Sequence, residues 1–195
     1  MVENRFYIPS SEGYKIFRAN YENKPKKNED DLWESFQELT PEAQVKSINN
    51  IYKTRISSAE QELIVQKIKS LNSDKAFDCA DNDYSPVDKL RRVYSARGKE
   101  KNKGYIDHFS FATKYCHHFQ SNKFPIYDSV NVRVMSVYLG YKDVIEDNIR
   151  NYNEYVRVCK TFWSLIGLAK LENKDGYYVD KYIQAIGVER ELLFN

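Results

Sequence analysis

Apolar positions along the chain recur at spacings of three and four from end to end, while clean alternation with period two is nearly absent, so the pattern predicts an all-α fold. Tyr14, Phe17, Ala19 and Tyr21 mark a first short helix, closed by the polar run Asn23-Lys24-Pro25-Lys26-Lys27-Asn28. A second helix is expected over 29–39, with Leu32, Trp33 and Phe36 turned inward. Thr40-Pro41-Glu42 has the form of an N-cap, a proline at the first helical position and an acid in the first turn, and it opens a helix with Val45, Ile48, Ile51 and Tyr52 on one face. Ser57 with Glu60 three residues on is a capping box ahead of Leu63, Ile64, Ile68 and Leu71.

After a broken polar stretch at 72–84, Ser85-Pro86-Val87-Asp88 starts a helix expected to carry Leu90, Val93 and Tyr94. A charged loop from Arg97 to Gly104 separates it from an aromatic helix over 105–119. The run 130–139 is apolar nearly all round and reads as a central helix ended by Gly140. Ile145, Ile149, Tyr152, Val156, Cys159, Phe162, Trp163 and Ile166 form a stripe that predicts one long helix over 143–171. A last helix is expected over 177–186, with Tyr178, Tyr182 and Ile186 on one stripe. With no fixed-period repeat and no low-complexity tract, the expectation is a compact multi-helix bundle formed by residues 1–195 as a single domain.

Composition narrows this without changing it. A chain of 195 residues can bury a core unaided, and 14% aromatics with 16 tyrosines, against 30% charged residues, is the balance of a folded chain with a tyrosine-rich interior. No run approaches the roughly twenty apolar residues of a membrane span, and residues 1–9 lack a signal-peptide pattern, so a cytoplasmic protein without membrane contact is expected. Cys79, Cys116 and Cys159 are too few and too scattered for a disulfide framework, and read as reduced. The formal charge of +2 neither demands nor excludes a nucleic-acid partner.

One segment carries a family resemblance. Phe109-Ser110-Phe111-Ala112-Thr113-Lys114-Tyr115-Cys116-His117-His118-Phe119, a polar turn, then Phe124-Pro125-Ile126-Tyr127-Asp128-Ser129-Val130-Asn131-Val132-Arg133 and Leu139-Gly140 resemble the helix-hairpin-helix DNA glycosylases. The resemblance implies double-stranded DNA as partner, Asp128 as the catalytic carboxylate, Ser129 as the small hydroxyl residue after it and Arg133 as the arginine five positions on. Ser110, Lys114, His118 and Ser129 would line the substrate site. The lysine of the lyase members would fall near Ser110, so the resemblance implies monofunctional hydrolysis without a cofactor. Arg97, Lys99, Lys101 and Lys103, with Arg133, would contact DNA phosphates.

The residues also admit other readings. Asp128-Ser129 before an apolar run is what any helix start shows, and capping alone accounts for it. His117 and His118, adjacent on a helix, point about 100° apart and cannot readily chelate one ion, so no metal site is expected; one is expected packed and the other exposed. Tyr177, Tyr178 and Asp180 could wall a pocket, although their spacing favours core packing. A non-catalytic helical interaction protein of a bacterial stress or phage-defence locus, binding a protein partner, is the alternative function. A helix-turn-helix regulator is the third, lacking an exposed recognition helix.

Overall fold

The computed structural model describes residues 9–25, 28–94, 104–140, 151–168 and 175–194, with side chains to 187 in the last stretch. The described residues are predominantly helical, with one two-stranded sheet. Contacts divide the chain into two compact units, Lys26–Phe124 and the pair of segments Met1–Pro25 and Pro125–Asn195, where the sequence reading treats 1–195 as one domain.

In the Lys26–Phe124 unit, α2 (Asn28–Ser35) runs into a 3-10 turn (Phe36–Glu38), followed by α3 (Pro41–Tyr52), α4 (Ser58–Ser73), α5 (Ser85–Arg91), β1 (Arg92–Tyr94), β2 (Tyr105–Asp107) and α6 (Phe109–His117). The starts of α3 and α4 are those the sequence announces. Thr40 Oγ1 accepts from Ala43 N at 3.4 Å, and Ser57 with Glu60 forms the reciprocal capping box, an arrangement stabilising by about 1 kcal/mol. Phe36, Val45, Ile48, Ile64, Ile68, Leu90, Phe111 and Tyr115 supply the core, whereas Leu63, which shares the apolar spacing of α4, is 37% exposed.

Two expected helices are corrected here. The helix opened by Ser85 stops at Arg91, because Arg92 takes extended backbone (φ −100°, ψ 120°), and Val93 and Tyr94 lie on β1. The aromatic helix expected over 105–119 begins only at Phe109, since Tyr105–Asp107 pair antiparallel with β1 in the register Arg92↔Asp107, Val93↔Ile106, Tyr94↔Tyr105. Three residues per strand are too few to show period two above the helical pattern around them.

In the other unit, α1 (Ser11–Glu22), α7 (Ser129–Leu139), α8 (Tyr152–Leu165) and α9 (Asp175–Phe194) pack together, with α7 against both α8 and α9 and α1 against α9. Helix α7 is less central than its composition suggests: Asn131, Val132, Val134, Met135 and Ser136 are buried, but Val137 is 41% exposed. The single helix expected over 143–171 is also corrected. Asn151 is an N-cap in extended conformation (φ −101°, ψ 114°) whose side chain accepts from Asn153 N, so α8 starts afresh at Tyr152, and Gly167 in the left-handed region (φ 78°) follows its end. Residues 141–150, the first part of that expectation, lie outside the described residues.

At Gly187, α9 approaches α7 closely. A Cβ there would stand 2.4 Å from Val130 Cγ1 and 3.1 Å from Val134 Cγ2. Gly187→Ala is therefore expected to destabilise the protein by about 1–3 kcal/mol despite alanine's better helix propensity, as read from the urea midpoint. A stabilised variant would show that the two helices separate freely.

Burial also sets an alkaline limit. It pushes the thiols of Cys116 and Cys159 and the phenols of Tyr115 and Tyr155 upward, the charges of neighbouring Cys159 and Asp180 adding to the effect at Tyr155. Because these groups lose protons first in the unfolded chain, their contribution is complete below the unfolded thiol range of about 8.5 and is lost as pH rises above it. Urea midpoints are expected to hold to about pH 8 and then fall through pH 10, with Cys116→Ala and Cys159→Ala flattening the first part of the decline.

Candidate functional site

The segment after α6 is held by hydrogen bonds at each step. His117 Nδ1 lies 2.8 Å from the Phe124 carbonyl, whose ring meets Tyr84 edge-on. Past Phe124 the chain belongs to the second unit, where Tyr152 Oη donates to Pro125 O at 2.9 Å and Tyr155 Oη donates to Ile126 O at 2.5 Å. Both tyrosines are buried on α8. They fix the approach to Asp128, which is extended (φ −139°, ψ 145°) and accepts from Val130 N through Oδ1 at 2.9 Å. Helix α7 then runs to Leu139, and Gly140 closes it at φ 73°.

Asp128 is half-buried, Ser129 and Arg133 are exposed, and Asn131 one turn beyond Asp128 is buried. A carboxylate in this position sees the positive end of an eleven-residue helix.

Helix α7 supplies Asn131 and Met135 to a small recess completed by Pro125, Tyr155, Trp163 and Asp180, about 10 Å³, room for a single water-sized molecule. Asp180 Oδ1 accepts from Asn131 Nδ2, and Asp180 Oδ2 accepts from Gln184 Nε2 at 3.0 Å. Asn131 Nδ2 also lies 3.4 Å from Ile126 O, so two acceptors fix which end of the amide carries nitrogen. Among the described residues, Asn131 Oδ1 and Trp163 Nε1 are buried without a hydrogen-bond partner. Each such group costs about 1–3 kcal/mol until something pairs with it.

Asn131 and Trp163 were not marked by the sequence pattern, which places both within apolar runs. Asp180, weighed between pocket wall and core, is 5% exposed and lines the recess. Tyr152 and Tyr155 sit on the apolar stripe of α8, and nothing in their spacing announces hydroxyls aimed at the backbone before Asp128.

The other expected site residues fall in the Lys26–Phe124 unit. Lys114 Nζ donates to Ser110 Oγ at 2.7 Å, one helical turn back, and lies 5.4 Å from the centre of the Tyr52 ring. Tyr52 Oη is 3.1 Å from His118 Nε2, and His118 stacks on Phe36 with ring centres 4.5 Å apart. The structure thus joins Ser110 to Lys114 and links Tyr52 to His118. Lys114 and His118 are buried at 3% and 2% exposure. The expectation that one histidine of the pair is exposed is corrected, because His117 is fully enclosed as well. Aromatic neighbours on both sides, Trp33 at 5.6 and 5.5 Å from the two rings, leave neither at the surface.

Arg97, Lys99, Lys101 and Lys103, the expected phosphate contacts, lie outside the described residues. Among the described residues, no group of three or more His, Cys, Asp or Glu side chains could hold a metal ion, and no helix is long and apolar enough to cross a membrane.

The model of the HI_0787_N family, described as an N-terminal domain, matches residues 15–123, more than half of the 195. The chain belongs to the HI_0787_N family. The matched stretch takes in nearly all of the Lys26–Phe124 unit and ends five residues before Asp128. No curated protein and no solved structure matches the chain. Within this HI_0787_N chain, therefore, the family match covers the Lys114 and His118 cluster, and the Asp128 segment stands on its own geometry.

Proposed function

We propose that this HI_0787_N protein is a DNA-binding protein of the monofunctional base-excision glycosylase type, with Asp128 acting at the glycosidic bond. The observation that carries the reading is Asp128 at the N-terminus of α7, half-buried, with Oδ1 held by Val130 N at 2.9 Å. A carboxylate there stabilises the oxocarbenium-like charge that develops on the deoxyribose as the base departs, and positions the water that completes hydrolysis. The order of elements supports it: α6, a turn, Pro125, the capping aspartate, then α7 closed by Gly140, as the helix-hairpin-helix resemblance implies.

Asparagine caps helices as well as aspartate does, so Asp128→Asn separates chemistry from capping. The measurement is salt-dependent binding to duplex DNA with and without an abasic-site analogue, followed by base release from duplexes carrying damaged or mispaired bases. The expected result is preference for the abasic analogue, a shallower salt slope when Lys99 and Lys101 are neutralised, and base release at least about a hundredfold slower in Asp128→Asn at unchanged stability. No binding by the wild type even at low salt would sink the reading.

A further inference from the structure

We infer that the recess walled by α7, α8 and α9 is a built site for one resident water molecule, which bridges the Trp163 indole and the Asn131 amide. The inference concerns the interior of this unit and does not rest on the chemistry proposed for Asp128. All three helices belong to the unit formed by Met1–Pro25 and Pro125–Asn195. Each sends a polar side chain to the recess wall: Asn131 from α7, Trp163 from α8 and Asp180 from α9. These are 2%, 6% and 5% exposed, so bulk solvent does not serve them.

The hydrogen-bonding roles on the wall are fixed. Asn131 Nδ2 donates to Asp180 Oδ1 and lies 3.4 Å from Ile126 O, two acceptors that only the amide nitrogen can face. Oδ1 is thereby left as an acceptor, and among the described residues it meets no donor. Trp163 Nε1 is the converse, a buried donor that meets no acceptor among them. Indole N–H donates only, and a buried polar group left in that condition is costly enough that native proteins pair nearly all of them. One wall that offers an unpaired donor and an unpaired acceptor calls for a molecule that accepts from the first and donates to the second.

Size and charge choose the molecule. The recess has about 10 Å³, close to one water-sized sphere, so an alcohol or a larger ligand does not fit. A metal ion or ammonium has no lone pair with which to accept from the indole. A halide has no proton to give the amide oxygen, and it would stand beside Asp180, whose two oxygens already accept from Asn131 and Gln184. Water fills both roles at once, and two to four polar partners is the usual setting of a buried water. Met135 and Ile183 make part of the wall apolar, which strengthens the hydrogen bonds made there. With the water in place a continuous chain runs Gln184, Asp180, Asn131, water, Trp163, and it ties the three helices together.

The experiment is a high-resolution crystal structure of the full chain, joined to water cross-relaxation at the indole protons of ¹⁵N-labelled protein in solution. Trp33 and Trp163 are the two tryptophans, so Trp163→Phe assigns the signals. The expected result is a single solvent peak within about 3.2 Å of both Trp163 Nε1 and Asn131 Oδ1. In solution, the Trp163 indole proton should show a water cross-peak with the sign of a molecule that tumbles with the protein, and the rotating-frame spectrum separates it from proton exchange. The cross-peak should vanish in Asn131→Leu and persist in Tyr155→Phe, which removes the hydroxyl of the recess wall that could relay it. A protein acceptor on Nε1, a solvent peak that touches one of the two atoms alone, or a larger ligand in the recess overturns the inference. So does a cross-peak that is absent in the wild type or lost in Tyr155→Phe. The crystallographic arm needs no variant, so a misfolded Asn131→Leu leaves the inference fully exposed to refutation.

Discussion

Phe36→Ala is expected to destabilise the Lys26–Phe124 unit by about 3–5 kcal/mol, the range for removing a buried phenyl ring. Phe36 is fully buried where the 3-10 turn follows α2. Its ring meets Tyr115 edge-on at 5.3 Å, stacks on His118 at 4.5 Å and meets Phe119 edge-on at 5.6 Å. Its carbonyl accepts from Gln44 Nε2 at 2.9 Å, and Gln44 Oε1 accepts from Tyr115 Oη at 2.6 Å. Removing the ring leaves three aromatic neighbours facing a void, and they are tied to α3 and α6 and cannot all close in. A urea titration with an unchanged m-value measures the loss. Phe36→Leu should cost appreciably less because it refills much of the space. A loss below about 1.5 kcal/mol for Phe36→Ala would mean that the cluster collapses around the missing ring.

That cluster also shows what could be read before any coordinates. Leu32, Phe36, Val45, Ile48, Ile64 and Ile68 are buried as their helical spacing requires, because a long amphipathic stripe has few other ways to leave water. The starts at Pro41 and Ser58 are legible because a cap is a local contract between residues three apart. Val93 and Tyr94 continue the helical spacing of Leu90, and only pairing with residues 105–107 pulls them into a strand. Spacing of apolar positions cannot reveal a partner more than ten residues away.

The site follows the same division. Asp128 was legible as a helix cap and as a candidate carboxylate, since its neighbours in sequence define both. The hydroxyls of Tyr152 and Tyr155 that hold Pro125 and Ile126 were not, because they arrive from a helix more than twenty residues downstream and look in sequence like two more core aromatics. Asp180 could be suspected but not placed: its tie to Asn131 spans 49 positions. His118 lies only ten residues before Asp128 in sequence, and the rings of Phe36, Trp33 and Tyr52 enclose it within the Lys26–Phe124 unit.

Replacement of Arg91 by methionine is expected to cost about 2–3 kcal/mol and to loosen the β1–β2 ribbon without unfolding the rest. Arg91 is 4% exposed at the end of α5, and its guanidinium spans Asp107 on β2 and Asp88 one turn back, with Asp88 Oδ1 3.4 Å from Nη1. Burial alone would make this cation easier to neutralise, but the two carboxylates outweigh burial and hold its proton more tightly than in free arginine. Methionine keeps the apolar stem against Phe109 and removes the fork, so the loss reports the ion pair more than the packing. The upper end of the range for broken buried pairs is not expected, because the Asp107 side chain is 36% exposed and water can take over much of its solvation. A double-mutant cycle with Asp107→Asn isolates the pair, and a coupling near zero would show that Arg91 contributes only packing. If the ribbon depends on this pair, amide exchange at residues 92–94 and 105–107 should speed up in Arg91→Met while that of α3 and α4 stays slow.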